Sequence, residues 1–282
     1  MFGSVECKRT KLMFVGLGGA GKTSLVKALM TQEFQSSLTG AQAITDGIDI
    51  CTWTVNMDGE KVQYSVWDFA GQTVYYNTHQ FFLSNRAVYL LLWNVRLGQE
   101  HAGLNFWLSS ISVHASKAPI FIVGTHMDQV PKAELPIEEM KAAYPQIEGF
   151  FFVSSFTGQG MEELKSSLLQ VTLKQEYMGE KIPAAYLELE NIILRKRQDD
   201  VNLVEYSEVE KMANNAGIVE KEEVAQAVQF LHDLGSVQHF SNEVLKSKVV
   251  INPQWIVDVM ARVVSVKESP IQVWLYQSTV DC

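Results

Sequence analysis

Apolar runs of strand length alternate with segments of helical periodicity from residue 11 to about residue 175. Near-continuous apolar runs at Ala87–Val95 and Pro119–Gly124 are typical of parallel strands that are buried on both faces. Between these two runs, apolar residues recur at helical spacing from Leu104 to Ile111, which predicts a helix. This alternation indicates an α/β fold with a doubly wound, mostly parallel sheet. Because ligands of such sheets bind at the carboxyl ends of the strands, we expect the functional residues there.

One pair of strands in this half of the chain is predicted to be antiparallel. Strand patterns at Ile48–Met57 and Val62–Phe69 are separated by Asp58-Gly59, a strong signal for a tight hairpin. The remaining predicted elements of this half are strands at Lys11–Leu17 and Phe150–Ser154 and helices at Gly21–Met30 and Met161–Leu173.

The pattern changes after residue 175. Asn252 and Pro253 suit the cap and the first position of a final helix. Two helices followed by a hairpin are the layout of a small α+β winged-helix-like module. Gly179 and Pro183 interrupt the helical pattern, so we expect a linker near Glu176–Pro183 and two domains, residues 1–178 and residues 179–282. The elements predicted before the final helix are helices at 184–196, 207–216 and 220–234 and strands at 237–240 and 248–251.

Composition excludes several classes of function. The net charge of −9 opposes binding to nucleic acid, and acidic residues outnumber basic ones between Lys181 and Met260, so we expect no nucleic acid partner. The longest purely apolar run, Ala87–Trp93, is too short to cross a bilayer, so no integral membrane contact is expected. Three widely spaced cysteines without a CxxC pair, at positions 7, 51 and 282, fit a reducing, cytoplasmic location.

A phosphate-binding loop follows the first predicted strand. The segment from Gly16 to Thr23 matches G-x-x-x-x-G-K-[ST] and lies between a strand and a helix, which disfavours the alternative of a flexible turn. In such a loop backbone N–H groups surround the phosphates, Lys22 places a charge on the terminal phosphates, and Thr23 offers a hydroxyl to Mg²⁺. The nucleotide-contacting residues predicted here are Gly16, Gly18, Gly19, Ala20, Gly21, Lys22, Thr23 and Ser24.

Two further segments are candidates for the metal and the attacking water. Asp68, at the end of a predicted strand, can hold Mg²⁺, the Gly71 N–H can meet the γ-phosphate, and Gln72 is placed to orient water. Thr45 is preferred to Thr39 as a second hydroxyl ligand, because the nearby strand start fixes its position. The alternatives are a strand-terminal turn at Asp68 and a capping threonine at Thr45. The predicted metal ligands are Thr23, Thr45 and Asp68, and the predicted catalytic residues are Lys22, Thr45 and Gln72.

Selection of the base is predicted after the strand that ends at Gly124. Asp128 can accept two N–H bonds from the edge of guanine, a pattern that adenine does not supply. Thr125 and His126 stand where the motif usually has Asn-Lys, which predicts loose nucleotide binding. Ser154 and Ser155, after the last predicted strand, form a weaker candidate for base contact, since two serines after a strand are usually a turn.

Five segments of the chain carry a resemblance to a known family: Asp68–Gln72, Tyr76–Phe82, Arg86–Leu90, Val123–Asp128 and Asn252–Met260. The first four together resemble the Roc GTPase domain of the Roco family, and the fifth is similar to the adjoining COR domain. The resemblance implies a GTP-hydrolysing switch in intracellular signalling, with low nucleotide affinity and exchange without a dedicated factor. It also implies a homodimer through Roc and COR surfaces, weakened here because the later part of COR is expected to be missing, and effectors that the sequence does not identify.

Two functional interpretations stay open at this point. One is a slow GTPase that uses Mg²⁺ and converts GTP to GDP. It is expected to be slow because no arginine is placed in the loops that carry Thr45 and Gln72, called the switch loops below. The alternative is a nucleotide-holding scaffold or dimerisation module with negligible hydrolysis. Gln72 favours the first interpretation. Arg86 opens a buried strand and is expected to be a structural ion-pair residue.

Overall fold

The computed structural model describes residues 3–31, 45, 47–57, 59–71, 76–98 and 103–264. Its main element is a six-stranded sheet in the order β3-β4-β2-β5-β6-β7. Only the β3–β4 pair is antiparallel within this sheet, and the other neighbours are parallel. The predicted α/β fold class is therefore confirmed. The strands are β2 (Arg9–Gly16), β3 (Ile48–Met57), β4 (Glu60–Phe69), β5 (Ala87–Asn94), β6 (Ile120–Thr125) and β7 (Ile147–Phe152).

Two hydrophobic cores cover the two faces of this sheet. Strand β2 alternates between them, since Leu12 and Phe14 enter one core and Met13 and Val15 enter the other. Helices α1 (Lys22–Thr31) and α5 (Met161–Leu173) contribute to the first core, and α3 (Leu104–His114) and α4 (Ile137–Ala143) contribute to the second. The short helix α2 (Tyr76–His79) precedes β5. Asp58, predicted in the β3–β4 turn, lies outside the described residues.

The second half of the chain forms its own core around three helices and a small sheet. These are α6 (Ala184–Gln198), α7 (Tyr206–Asn215) and α8 (Lys221–Asp233), with a sheet in the order β10-β11-β9. Strands β10 (Gln238–His239) and β11 (Lys248–Val250) are the predicted hairpin. Strand β9 (Leu203–Glu205) was not predicted, because three residues are too few to show an alternating pattern.

The segment predicted as a linker contains a strand, so that prediction is corrected. Glu180–Pro183 (β8) pairs antiparallel with Ser4–Cys7 (β1). Arg86 forms an ion pair with Glu180, and Arg9 binds the Glu190 carboxylate through two hydrogen bonds of 2.6 and 2.8 Å. The expected structural role of Arg86 is thus observed. These contacts join the first residue of β2 and the residue that precedes β5 to the second half of the chain.

The last described helix, α9 (Pro253–Val264), lies against edge strand β3. Gln254 accepts a hydrogen bond from the Ile50 N–H at 2.9 Å and donates one to the Ile48 carbonyl at 2.8 Å. The helix begins at Pro253 as predicted, and the Asn252 side-chain amide donates to Asn202 Oδ1 at 2.7 Å. Among the described residues, every helix is too short or too polar to cross a lipid bilayer.

Candidate nucleotide-binding site

The Gly-rich loop joins the carboxyl end of β2 to the amino end of α1, the positive end of that helix dipole. Lys22, the first residue of α1, is buried, and its Nζ donates to the carbonyls of Gly16 (2.9 Å) and Leu17 (2.8 Å). Burial lowers the pKa of Lys22 to about 8, while Asp68 acts in the opposite direction. The ammonium group therefore stays mostly charged at neutral pH beside the loop that is predicted to hold phosphates.

Three predicted metal ligands lie together at the base of this loop. Thr23 Oγ1 lies 2.8 Å from Thr45 Oγ1 and donates to Asp68 Oδ2 at 2.6 Å. Asp68 is buried at the end of β4, and burial raises its pKa to about 6, against the opposing effects of Thr23 and Lys22. Within the described part of the chain, the buried Asp68 Oδ1 has no hydrogen-bond partner. A buried carboxylate whose second oxygen has no hydrogen-bond partner is suited to a cationic ligand.

The segment after Asp68 approaches the loop so closely that its backbone leaves no room for a side chain. A Cβ on Gly71 would lie 2.4 Å from the Gly18 nitrogen and 2.5 Å from the Leu17 carbonyl carbon. Glycine is therefore required at this position, and the Gly71 backbone is adjacent to the predicted phosphate site. Gln72 and Thr39 lie outside the described residues, and the role assigned to Gln72 stays a prediction.

The predicted base-contacting residues lie on the neighbouring strand ends. Asp128 is exposed on the turn Met127–Gln129, and its Oδ1 accepts a 2.6 Å hydrogen bond from Ser154 Oγ, which lowers the Asp128 pKa. Ser154 is fully buried, and its oxygen also accepts the backbone N–H groups of Phe156 and Thr157. Ser154 thus fixes the orientation of the Asp128 carboxylate by its hydrogen bond to one carboxylate oxygen.

Thr125 joins this region to the phosphate loop. Its Oγ1 donates to the Ala20 carbonyl at 2.9 Å and lies 2.8 Å from His126 Nδ1. Because the C=O and N–H of a trans peptide point in opposite directions, holding the Ala20 carbonyl fixes the direction of the Gly21 N–H. Burial, followed by the charge of Arg96, lowers the pKa of His126. Ser155 is half-buried in the next loop.

Asn94, which ends β5 between the two loops, was not predicted from the sequence. Its Nδ2 donates to the Gly19 carbonyl at 3.1 Å, and its Oδ1 accepts from Arg96. A polar residue that closes an apolar run at the carboxyl end of a parallel strand was the available signal. The structure therefore brings the described loop, metal-ligand and base-contacting candidates to one edge of the sheet.

A strand, a Gly-rich loop and a helix that carries lysine and threonine, with aspartates at neighbouring strand ends, define a P-loop GTPase fold. Two family models match the chain: "Ras of Complex, Roc, domain of DAPkinase" over residues 11–128, and "C-terminal of Roc, COR-A domain" over residues 183–273. The chain belongs to the Roco family, with a Roc domain followed by COR-A. The predicted boundary between residues 178 and 179 stays a prediction.

Individual relatives agree with this assignment. The chain is 35% identical to the probable serine/threonine-protein kinase pats1 of Dictyostelium discoideum, over 95% of this chain and 9% of that protein. It is 27% identical to the probable serine/threonine-protein kinase roco5 of the same organism, over 94% of this chain and 11% of that protein. The chain thus spans about a tenth of the length of these two relatives.

A solved structure matches both halves of the fold. This structure, of Methanosarcina barkeri Roco2 RocCORdC bound to GDP, superposes with a TM-score of 0.83 at 28% identity. The match covers 95% of this chain and 80% of that one. The order of the main sheet and of the COR-A elements is therefore that of a known Roc–COR pair.

Proposed function

We propose that this chain is a GTP-binding molecular switch that hydrolyses GTP slowly with Mg²⁺ as cofactor. The observation that carries the proposal is the convergence of Thr23, Thr45 and Asp68 beside Lys22. Hydroxyl and carboxylate oxygens are the donors that Mg²⁺ prefers, and the lysine supplies the charge that terminal phosphates need.

The residues fit a magnesium ion by their chemistry. All three predicted ligands are hard oxygen donors, and the Asp68 carboxylate is buried with one unpartnered oxygen among the described residues. When bound, Mg²⁺ would neutralise charge on the β- and γ-phosphates. Thr23 would hold it from the phosphate loop, Thr45 from the first switch segment and Asp68 from the end of β4.

Guanine is the base that the site suits best. The Asp128 carboxylate, whose pKa is lowered by the hydrogen bond from Ser154, is ionised at neutral pH and can accept both N–H groups on the guanine edge. Ser154 holds the carboxylate in place through one oxygen. The GDP in the related Roco2 structure supports this assignment.

Hydrolysis is expected to be slow, because the switch segments (residues 36–47 and 68–79) contain a glutamine that can orient water but no arginine. Gln72 follows Gly71, whose backbone lies against the phosphate loop, and would orient the attacking water. Residues 36–47 and 68–79 contain no arginine to stabilise charge in the transition state. An arginine supplied in trans is worth about 10³ to 10⁵ in rate, so the isolated chain should turn over slowly.

Homodimerisation, effector binding and a cytoplasmic signalling role are parts of this proposal that rest on family membership.

Single-turnover hydrolysis, with bound nucleotide measured separately, tests the proposal. Gln72→Leu should lower the hydrolysis rate by about tenfold or more while GTP affinity stays close to wild type, because orienting water contributes little to ground-state binding. Gln226→Leu, at an exposed position on α8, is the matched control and should change neither quantity. Hydrolysis by Gln72→Leu at the wild-type rate would remove the water-orienting role. Nucleotide binding without any wild-type hydrolysis would favour the scaffold alternative.

A further inference from the structure

Asn94 lies at a position that reaches two functional loops. It is the last residue of β5, and β5 is hydrogen-bonded to β2 on one side and to β6 on the other. Strand β2 leads into the phosphate loop, and β6 leads into the turn that carries Asp128. Asn94 itself is buried, with 6% of its surface exposed. A side chain here can bind both loops at once.

The hydrogen bonds of Asn94 form a continuous connection between these loops. Its Nδ2 donates to the Gly19 carbonyl at 3.1 Å, and its Oδ1 accepts from Arg96 Nε at 3.0 Å. The Arg96 guanidinium then donates from Nη1 to Gln129 Oε1 at 2.8 Å. Gln129 is the residue after Asp128, so the connection runs from the phosphate loop to the base-contacting turn.

A simpler interpretation explains only part of this arrangement. Asn94 Oδ1 also accepts the Arg96 backbone N–H at 3.1 Å, as expected of an asparagine that caps the short turn Val95–Leu97. Capping does not account for the bond to the Gly19 carbonyl, which lies 75 residues away in the sequence. It also does not account for the bond between the Arg96 guanidinium and Gln129.

We propose that Asn94, Arg96 and Gln129 are positioning residues that hold the Asp128 turn at a fixed distance from the phosphate loop and thereby slow nucleotide release. Thr125 fixes the beginning of this turn by its bond to the Ala20 carbonyl, and Gln129 fixes its end. A bound nucleotide contacts both loops at once. If the loops are already held at a fixed spacing, they lose less conformational entropy when the nucleotide binds. This inference rests on the proposed function, because it assigns a role in guanine nucleotide binding.

Release of a fluorescent GDP analogue, followed by stopped flow in excess Mg²⁺ and GDP, tests this role. Arg96→Ala and Gln129→Met should each raise the dissociation rate about five- to tenfold, the effect of losing one hydrogen bond. The double variant should release nucleotide no faster than either single variant, because both substitutions break the same connection. Gln129→Glu should stay within about twofold of wild type, since a carboxylate also accepts from guanidinium. Arg195→Ala, at an exposed arginine on α6, is the control and should match wild type.

Hydrolysis of bound GTP in a single turnover should be unchanged in the Arg96 and Gln129 variants, because neither residue belongs to the predicted metal or water site. Dissociation rates equal to wild type in Arg96→Ala and Gln129→Met would overturn the positioning role and leave the proposed function intact. Effects that multiply in the double variant would also overturn it, since the two residues would then act independently. A wild-type protein without saturable GDP or GTP binding would instead overturn the proposed function, and the positioning role with it.

Discussion

Gly47 of the Roc domain packs directly against Ala261 of the COR-A helix α9. A Cβ on Gly47 would lie 3.0 Å from the Ala261 Cβ and 3.2 Å from Val257 Cγ1. The Gly47 carbonyl accepts the Ala70 N–H at 2.7 Å. The segment that carries Thr45 and the segment that carries Asp68 therefore meet at this point. Thr45 is two residues away, and helix α9 therefore lies against the segment that carries a predicted Mg²⁺ ligand.

Gly47→Ala should destabilise the fold and weaken Mg²⁺-dependent GTP binding. Gly47 has φ +76°, a conformation that costs an alanine about 1–2 kcal/mol, and the new methyl group would also press on α9. Gly59→Ala is the matched control, because Gly59 has φ +82° and, apart from its two chain neighbours, no described residue has an atom within 4 Å of a Cβ there. Denaturant unfolding and GTP titration should show a larger loss for Gly47→Ala, by about 1 kcal/mol in stability. If both variants lost the same amount of stability and kept the wild-type GTP affinity, the contact between Gly47 and α9 would have no effect on stability or nucleotide binding.

Lys11→Met should stabilise the protein near neutral pH. Lys11 is fully buried on β2, with its Nζ 5.3 Å from the centre of the Trp67 ring, and burial lowers its pKa to about 8. The unfolded chain has the higher lysine pKa and binds more protons between about pH 8 and 10.5, so wild-type stability rises with pH across that window. Below it, the buried charge costs on the order of 3 kcal/mol.

Denaturant unfolding of wild type and Lys11→Met at several pH values checks this prediction. The variant should be more stable at pH 7, and its advantage should shrink as the pH rises through 8 towards 10. Lys117→Met, at an exposed lysine, should show no such convergence. A Lys11→Met protein that is less stable than wild type at pH 7 would show that the contact with Trp67 and the 3.4 Å hydrogen bond from Lys11 Nζ to Ser84 Oγ outweigh the cost of burial.

Asp128→Asn should shift base preference from guanine to xanthine. Xanthine carries a carbonyl where guanine has its N2 amine, so an amide donor at position 128 matches xanthine and mismatches guanine. Competition titrations of GTP and xanthosine triphosphate should show the preference reversed, with GTP affinity reduced about tenfold or more. An unchanged preference would remove Asp128 from the base site, whatever the total affinity.

Sequence patterns predicted the parallel sheet because strands buried on both faces appear as continuous apolar runs. β5 and β6 illustrate this, since every residue of each strand is buried. The pairing of β1 with β8 could not be predicted, because two four-residue strands far apart in the chain carry no distinctive local pattern. The same limit applies to β9 and to the seven-residue helix α4.

The candidate site was predictable where its chemistry is local in sequence. Residues 16–23 carry both the loop geometry and the charged group within one motif. Thr45 was placed by its distance from a strand start, and it lies 2.8 Å from Thr23 in the structure. Asn94 was not predicted, because its role depends on a contact with Gly19 that only the order of strands in the folded sheet creates.

The most direct test of the proposed GTP-binding function is nucleotide binding by the wild-type chain, titrated with GTP and with ATP in the presence and absence of Mg²⁺. We expect saturable GTP binding that weakens when Mg²⁺ is chelated, ATP binding at least about a hundredfold weaker, and loss of GTP binding in Lys22→Ala. Lys132→Ala, an exposed lysine paired with Glu134, is the control and should bind GTP like wild type. Equal affinities for GTP and ATP, or GTP binding that survives Lys22→Ala unchanged, would contradict the proposed function.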